Sequence, residues 1–442
     1  MDDTQKLYGL RTDQYKHDDE LMISVESALE QTLSLVEPLP AEQVAMIDAL
    51  GRVVAVDVSS DIDIAPFDNS AMDGYAVRAS DLTSANPENP CILEVVGLIG
   101  AGQVYEGSLE VGQALRIMTG APVPRGADTV VKVEDTELCV ADTARESPVQ
   151  ANAHHVRFFA APKPGANVRL HGEEVRAGEV ILPKGSVLTP AGVGLLASTG
   201  TTAVLVHRRP EVAILATGDE LVSPDVVPQP GQIRDSNCYS LAAAVRQAGG
   251  TPTVFGEVRD TKAAVIEALK AAVGHDFIIL SGGAAEGDFD YTSQVVRELG
   301  QLHFNKVRMR PGKAQTLGEI DGTVVFGLPG NPAAALVGFE VLIRPALLKM
   351  QGFTKIRRSV TTARLTQEFN KRDARRLYVR ACLARDMTSG EYTVTPEKNQ
   401  SSASFLVMHR SNCLVVLPEG TMTLSRGEMV ACMRLDVPEG TL

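Results

Sequence analysis

HDFIILSGGAAEGDFDYTSQVVRELG, His275 to Gly300, passes from an unbroken apolar run through a glycine pair into an amphipathic segment. The run DFIIL (Asp276 to Leu280) shows no polar alternation, which is the pattern of a strand buried on both faces. DYTSQVVRELG predicts a helix. Between them, SGGAAEGDFD (Ser281 to Asp290) holds Gly282 and Gly283 beside Glu286, Asp288 and Asp290. Glycine at a strand end lets a ligand, often a phosphate, come close to the backbone. Carboxylates repel phosphate, so their presence in the same turn calls for a ligand that uses both.

The flanking sequence repeats the strand–helix alternation. EVAILATG, TPTVFGEV and LHFNKVRM read as strands; SNCYSLAAAVRQAGG, with Ser236 as N-cap and Gly249 as stop, and TKAAVIEALKAAV read as helices. QTLGEIDGTVVFGLPG predicts a hairpin turned at Asp321-Gly322. NPAAALVGFEVLIRPALLKM predicts one long apolar helix with Pro332 at its first position behind Asn331. Strands alternating with helices imply an α/β multidomain protein with a doubly wound, mostly parallel sheet over residues 208–353.

The rest of the chain differs in character. Residues 1–23 are charged and aperiodic and read as a flexible extension. Ser24 opens a helix with Val25, Ala28, Leu29, Leu33 and Val36 at helical spacing. Residues 66–164 carry short strands (GYAVRA, CILEVVGLI, QALRIMTG, ADTVVKVED) and read as an inserted, mostly β domain. Segments 24–65 and 165–207, the latter with a helix at Pro190 to Ser198, then form one discontinuous elongated mixed domain. Residues 357–442 return to β signals and suggest a C-terminal β-barrel-like domain.

Composition bounds the function. The 442 residues suffice for about three domains. A net charge of −13 argues against a generic nucleic-acid binder. The six cysteines form no C-x-x-C pair, which disfavours a zinc site or a disulfide framework. No uninterrupted apolar run reaches membrane-spanning length and the N-terminus is polar, so the expectation is a soluble cytoplasmic protein.

In an open α/β sheet, ligands bind beyond the carboxyl ends of the strands. Those ends here read ATGDEL (Ala216 to Leu221), VRD (Val258 to Asp260), SGGAAEGDFD and LPGNP (Leu328 to Pro332), with RMRPGKA (Arg308 to Ala314) nearby. Taken singly, each has an ordinary reading as a turn, a solvated acid or a helix start. Together they suit a phosphate ester or anhydride bound with a divalent cation. Backbone N–H groups of Gly282, Gly283 and the Gly330-Asn331-Pro332 helix start can cradle phosphate, with Ser281 and Pro329 as further candidates for binding the ligand; Glu220, Asp260, Asp288 and Asp290 are available to hold Mg²⁺; Arg310 and Lys313 would balance the remaining charge. Outside the sheet, IAPFDNSAMDGYAVR (Ile64 to Arg78) is dense in hydrogen-bonding groups; by local physics alone it is a turn leading into a strand.

At FDNSAMDGYAVR the chain resembles the molybdopterin molybdenumtransferases, the bacterial MoeA proteins and the gephyrin E domain. The likeness continues in order through RIMTGAPVPRGADTVV (Arg116 to Val131), ATGDEL, GQIRDSN (Gly231 to Asn237), SGG…GD…DYT, RPGK and GLPGNPAAA, and covers the chain from about residue 24 onward. The resemblance implies a homodimer of four-domain subunits that converts adenylated molybdopterin and molybdate, with Mg²⁺, to molybdenum cofactor and AMP. It implies a site shared between subunits, with Asp73 and Thr119 supplied by one and Glu220, Asp260, Asp290, Arg310 and Lys313 by the other. Arg380 and Ser402 match positions that handle molybdate. An upstream adenylyltransferase and recipient apoenzymes are the implied partners. The chain departs from the family pattern at Ala284-Ala285-Glu286, where SGGVSVG is usual, at Arg310, where lysine is usual, and at Ala314, where proline is frequent. The rival readings are a molybdopterin adenylyltransferase and a non-catalytic molybdopterin carrier or scaffold.

Overall fold

The computed structural model describes residues 22–139, 155–283 and 291–437. The expected N-terminal extension thus lies, but for Met22 and Ile23, outside the described residues. The chain divides into two compact units, Met1–Gln43 with Gly51–Ala55 and Leu205–Leu442, and Val44–Leu50 with Val56–Val204.

The first unit is built on a six-stranded sheet. Its elements are β1 (Glu211–Thr217), α1 (Asn237–Gln247), β2 (Thr251–Val258), α2 (Lys262–Ala272), β3 (Phe277–Ser281), α3 (Tyr291–Leu299), β4 (Gln301–Lys306), β5 (Ala314–Ile320), β6 (Thr323–Leu328) and α4 (Pro332–Gly338). The strand order is β2-β1-β3-β6-β5-β4. The first four strands run parallel. β5 turns back antiparallel to β6, and β4 is antiparallel to β5.

The unbroken apolar runs are explained by layers on both faces. Val212, Ile214, Phe277 and Ile279 point into a core shared with α1, α4 and the helix Val25–Ser34, whereas Ala213, Leu215, Ile278 and Leu280 point into a core shared with α2 and α3. The apolar residues of β1 and β3 are therefore buried whichever way they face. The β5–β6 hairpin turns at Asp321 and Gly322, both at positive φ, the conformation a two-residue hairpin loop of this kind requires.

Two local expectations change. The long apolar helix is helical throughout, but a π-helical stretch, Phe339–Ile343, separates α4 from a further α-helix, Arg344–Met350. Ser236 precedes α1 without capping it; the carboxylate of Asp235 accepts the Cys238 N–H at 3.1 Å instead. Aspartate and serine are both good capping residues, and adjacent in sequence they compete for one role.

In the same unit, residues 360–434 form a small closed barrel. Arg376–Arg385, Tyr392–Pro396, Val360–Leu365, Met429–Arg434 and Cys413–Leu417 follow one another, and the last pairs back on the first. Its interior holds Leu365, Val379, Leu383, Val394 and Val415. The barrel joins the α/β layer through Met309–Arg310, which pairs with Arg376 and Leu377.

The second unit carries a six-stranded curled sheet in the order Thr129–Lys132, Gly74–Val77, Gln113–Ile117, Cys91–Ile99, His155–Phe158 and Thr136–Cys139. Tyr75, Leu93, Val156 and Phe158 fill one face of it. Among the described residues no helix is long and apolar enough to cross a membrane.

Helix α3 lies directly on β5 at Gly318, where a Cβ would run into Val296 Cγ1 and stand 2.7 Å from the Gln301 carbonyl oxygen. Gly318→Ala is expected to destabilise the protein by about 1–3 kcal/mol through overpacking. Urea denaturation measures this, and an unchanged midpoint would contradict so close an approach.

Candidate functional site

Beyond the carboxyl ends of the parallel strands lies a cleft of about 1350 Å³, lined from the α/β layer and the barrel. Glu220, Asp260, Ser281, Gly282, Gly283, Arg310, Lys313, Pro329, Gly330, Asn331, Arg380 and Ser402 all line it. Asp288 and Asp290, with Glu286, lie outside the described residues.

The acids come from the β1 and β2 end of the sheet. Asp260 Oδ1 is buried and has no hydrogen-bond partner among the described residues. Its backbone N–H is held by Asp219 Oδ1 at 3.1 Å. Burial raises the Asp260 carboxyl above its ordinary range, and the neighbouring Asp219 and Glu220 raise it further. Converging carboxylates with an orphaned buried oxygen suit a hard cation. No three His, Cys, Asp or Glu side chains close enough for a complete metal set occur among the described residues, so Asp219, Glu220 and Asp260 are at most part of one.

The cations come from the β5 end and the barrel. The turn Arg310-Pro311-Gly312-Lys313, with a cis Arg310-Pro311 bond, precedes β5. Gln315, fully buried, holds this turn by donating from Nε2 to the Gly312 carbonyl at 2.8 Å. Arg310 donates to Asp373 Oδ2 at 2.9 Å. Arg375 grips the same carboxylate with its guanidinium at 2.9 and 2.6 Å. Burial works to raise the Asp373 carboxyl, but the hydrogen bonds from Arg375 and Arg310 overcome it and hold the group well below the usual carboxylate range.

Arg380 is the most unusual of the cations. It is 1% exposed, donates to the carbonyls of Tyr378 and Ser401 at 3.3 Å, and leaves Nε without a partner among the described residues. Burial pushes its pKa down to about 10, with Arg310 contributing, so it stays charged at neutral pH. It has no carboxylate partner among the described residues. A buried charge of this kind is costly unless a ligand brings the opposite sign.

The glycine turns are built differently from the expectation. The Gly282 N–H donates to the Leu328 carbonyl at 3.0 Å and so is spent inside the fold. Gly282 is needed because its φ is +97° and a Cβ there would strike the Thr217 carbonyl oxygen. At the start of α4, the Ala333 N–H is taken by the Ser402 carbonyl at 2.8 Å, which ties Ser402 to the α/β layer.

In the other compact unit, Asp73 and Thr119 stand together on exposed loops. Asp73 Oδ1 accepts from the Thr119 N–H at 2.7 Å and from its hydroxyl at 2.8 Å. Those two bonds lower the Asp73 pKa.

The sequence matches three family models in succession: the MoeA N-terminal region (domain I and II) over residues 23–200, the probable molybdopterin binding domain over 213–349, and the MoeA C-terminal region (domain IV) over 362–435. The molybdopterin molybdenumtransferase of Nostoc sp. is 39% identical over 94% of this chain and 94% of its own length. That of Staphylococcus epidermidis is 34% identical over 92% and 94%. The chain belongs to the molybdopterin molybdenumtransferase family. Two crystal structures of the MoeA protein from Pyrococcus horikoshii superpose with TM-scores of 0.77 and 0.78, at 32% and 27% identity, covering 94% and 93% of this chain and 99% and 100% of theirs.

The cleft contains residues that the sequence reading did not single out: Asp373, Arg375, Asn237 and Gln315. Asp373 meets Arg310 across 63 residues and Asn237 meets Gly330 across 93, whereas Arg375 and Gln315 act on neighbours in sequence. The charge-dense KRDARR (Lys371 to Arg376) was the available signal for the first two.

Asp373→Asn is expected to destabilise the protein by about 1–3 kcal/mol at neutral pH, since charged hydrogen bonds are lost beside two arginines. The folded-state pKa is depressed, so this stability is present above the ordinary aspartate value, about pH 4, and is lost as pH falls through the lower folded value. Thermal melts across pH should therefore show wild type and variant converging in acid; a gap independent of pH would contradict the assignment.

Proposed function

We propose that this protein is an enzyme of molybdenum cofactor biosynthesis that inserts molybdate into adenylated molybdopterin and releases AMP. The observation that carries this reading is Arg380, a buried guanidinium with an unpartnered Nε, in a cleft whose other end gathers carboxylates. An oxyanion at Arg380 and Ser402 supplies the missing negative charge. Arg310 and Lys313 lie between the barrel and the phosphate-facing turns, where they stabilise charge on the phosphoric anhydride as it is cleaved.

Glu220 and Asp260, with Asp288 and Asp290, are proposed to hold Mg²⁺; the orphaned Asp260 Oδ1 supports this. When bound, Mg²⁺ neutralises phosphate charge and polarises the anhydride. The chain's own residues orient the two substrates: Ser281, Gly283, Pro329, Gly330 and Asn331 frame the nucleotide-pterin, and the barrel presents Arg380 and Ser402 to the oxyanion. Attack of water on the anhydride releases AMP and leaves the pterin its own phosphate; the two pterin thiols replace an oxo ligand of molybdate, which leaves as water with the thiol protons.

The functional molecule is proposed to be a cytoplasmic homodimer. Asp73 and Thr119 of one subunit complete the cleft of the other, which accounts for an exposed carboxylate preorganised by two hydrogen bonds. The division into 24–65 with 165–207, 66–164, 208–353 and 357–442 is proposed to give the four domains. The adenylyltransferase alternative requires only the α/β domain, and the family likeness extends over the N-terminal and C-terminal regions as well.

The direct test is AMP release from adenylated molybdopterin with and without molybdate. Wild-type protein is expected to release AMP in a molybdate-stimulated reaction; a bound but unreleased nucleotide would favour a carrier. Arg380→Met should lower the molybdate-stimulated rate by about 100-fold while leaving the melting temperature unchanged or higher, because the buried charge is removed. Retained activity in this variant would overturn the role of Arg380. Asp73→Ala and Lys313→Ala proteins, each inactive, should recover partial activity when their subunits are exchanged. No recovery with heterodimers confirmed would reject the shared site.

A further inference from the structure

Asn237 is the first residue of α1 and lines the cleft, yet it belongs to neither the acid nor the cation group. Its Nδ2 donates to Ser281 Oγ at 2.8 Å and to the Gly330 carbonyl at 2.8 Å. Ser281 ends β3, and Gly330 lies in the turn after β6. The Ser281 hydroxyl in turn points to the Pro329 carbonyl at 3.5 Å. Both hydrogens of one amide are thus spent on the two turns that face the nucleotide-pterin.

The turns pack almost backbone to backbone, since a Cβ at Gly330 would stand 3.6 Å from Gly282 Cα. At that separation no other side chain is needed to link them, and the amide serves as the clasp. Asn237 is 8% exposed, and its Oδ1 has no partner among the described residues. A buried amide oxygen left unpaired is costly. A ligand N–H or O–H brought into the cleft removes that cost. We infer that Asn237 is a positioning residue: it clasps the Ser281 turn to the Gly330 turn and holds its Oδ1 ready for a hydrogen-bond donor of the bound nucleotide-pterin. The inference rests on the reading of these turns as the nucleotide-pterin site.

Asn237→Asp keeps the size and the Oδ1 acceptor but sets a second oxygen against Ser281 Oγ and the Gly330 carbonyl. Titration with adenylated molybdopterin, without molybdate, is expected to show at least tenfold weaker binding for Asn237→Asp, and a smaller loss for Ser281→Ala. The double variant should bind no more than about twofold more weakly than Asn237→Asp alone, because one unit is removed twice. In turnover, KM for adenylated molybdopterin should rise while KM for molybdate stays within twofold, a split that general destabilisation does not produce. If Asn237→Asp does not fold, Asn237→Ala carries the same comparison. Wild-type protein that fails to bind adenylated molybdopterin would overturn the site reading itself. Wild-type binding with unaffected Asn237→Asp, or with losses that multiply in the double variant, would overturn the clasp alone.

Discussion

A guanidinium taken out of water without a carboxylate beside it is among the least favourable things a fold can contain, and the cleft of this protein is arranged around one. Arg380 sits on a barrel strand, fully buried, with two backbone carbonyls as its partners among the described residues and Nε unpaired among them. Val379 and Ala381 on either side face the barrel's apolar interior, and strand alternation turns Arg380 away from it to line the cleft. No carboxylate among the described residues offsets that cost, and an anionic ligand would.

The rest of the cleft keeps that charge addressable without letting the other cations collapse the site. Asp373 pairs with Arg310 and Arg375, so part of their positive charge is answered within the chain. The acids enter from the far strands of the same sheet. A parallel sheet delivers all its carboxyl-end loops to one edge, and the barrel closes over that edge through the Met309–Arg310 pairing and the Ser402–Ala333 bond. Separation of acids from cations follows from strand order and direction: β1 and β2 end with the acids, whereas the RPGK turn leads into β5, which runs antiparallel and so begins at the same edge.

What was legible in the sequence follows from how local each feature is. Runs such as EVAILAT and FIILS declare strands buried on both faces, and Asp321-Gly322 declares its hairpin, because the cause lies within a few residues. The strand-end motifs were also legible as neighbours, since topology places strand ends together and their described residues line one cleft. The clasps were not. Arg310 and Asp373 are 63 residues apart, and Asn237 reaches Gly330 across 93. Choice of cap between Asp235 and Ser236, or the use of the Gly282 N–H within the sheet, depends on geometry that only the folded loops define.

The central claim is that the charge of Arg380 awaits an oxyanion. Crystals of the protein grown with molybdate, examined by anomalous scattering at the molybdenum edge, test it most directly. The account predicts a single peak within hydrogen-bonding distance of the Arg380 guanidinium and beside Ser402. Well-ordered molybdate bound elsewhere, with Arg380 left unpartnered, would contradict it.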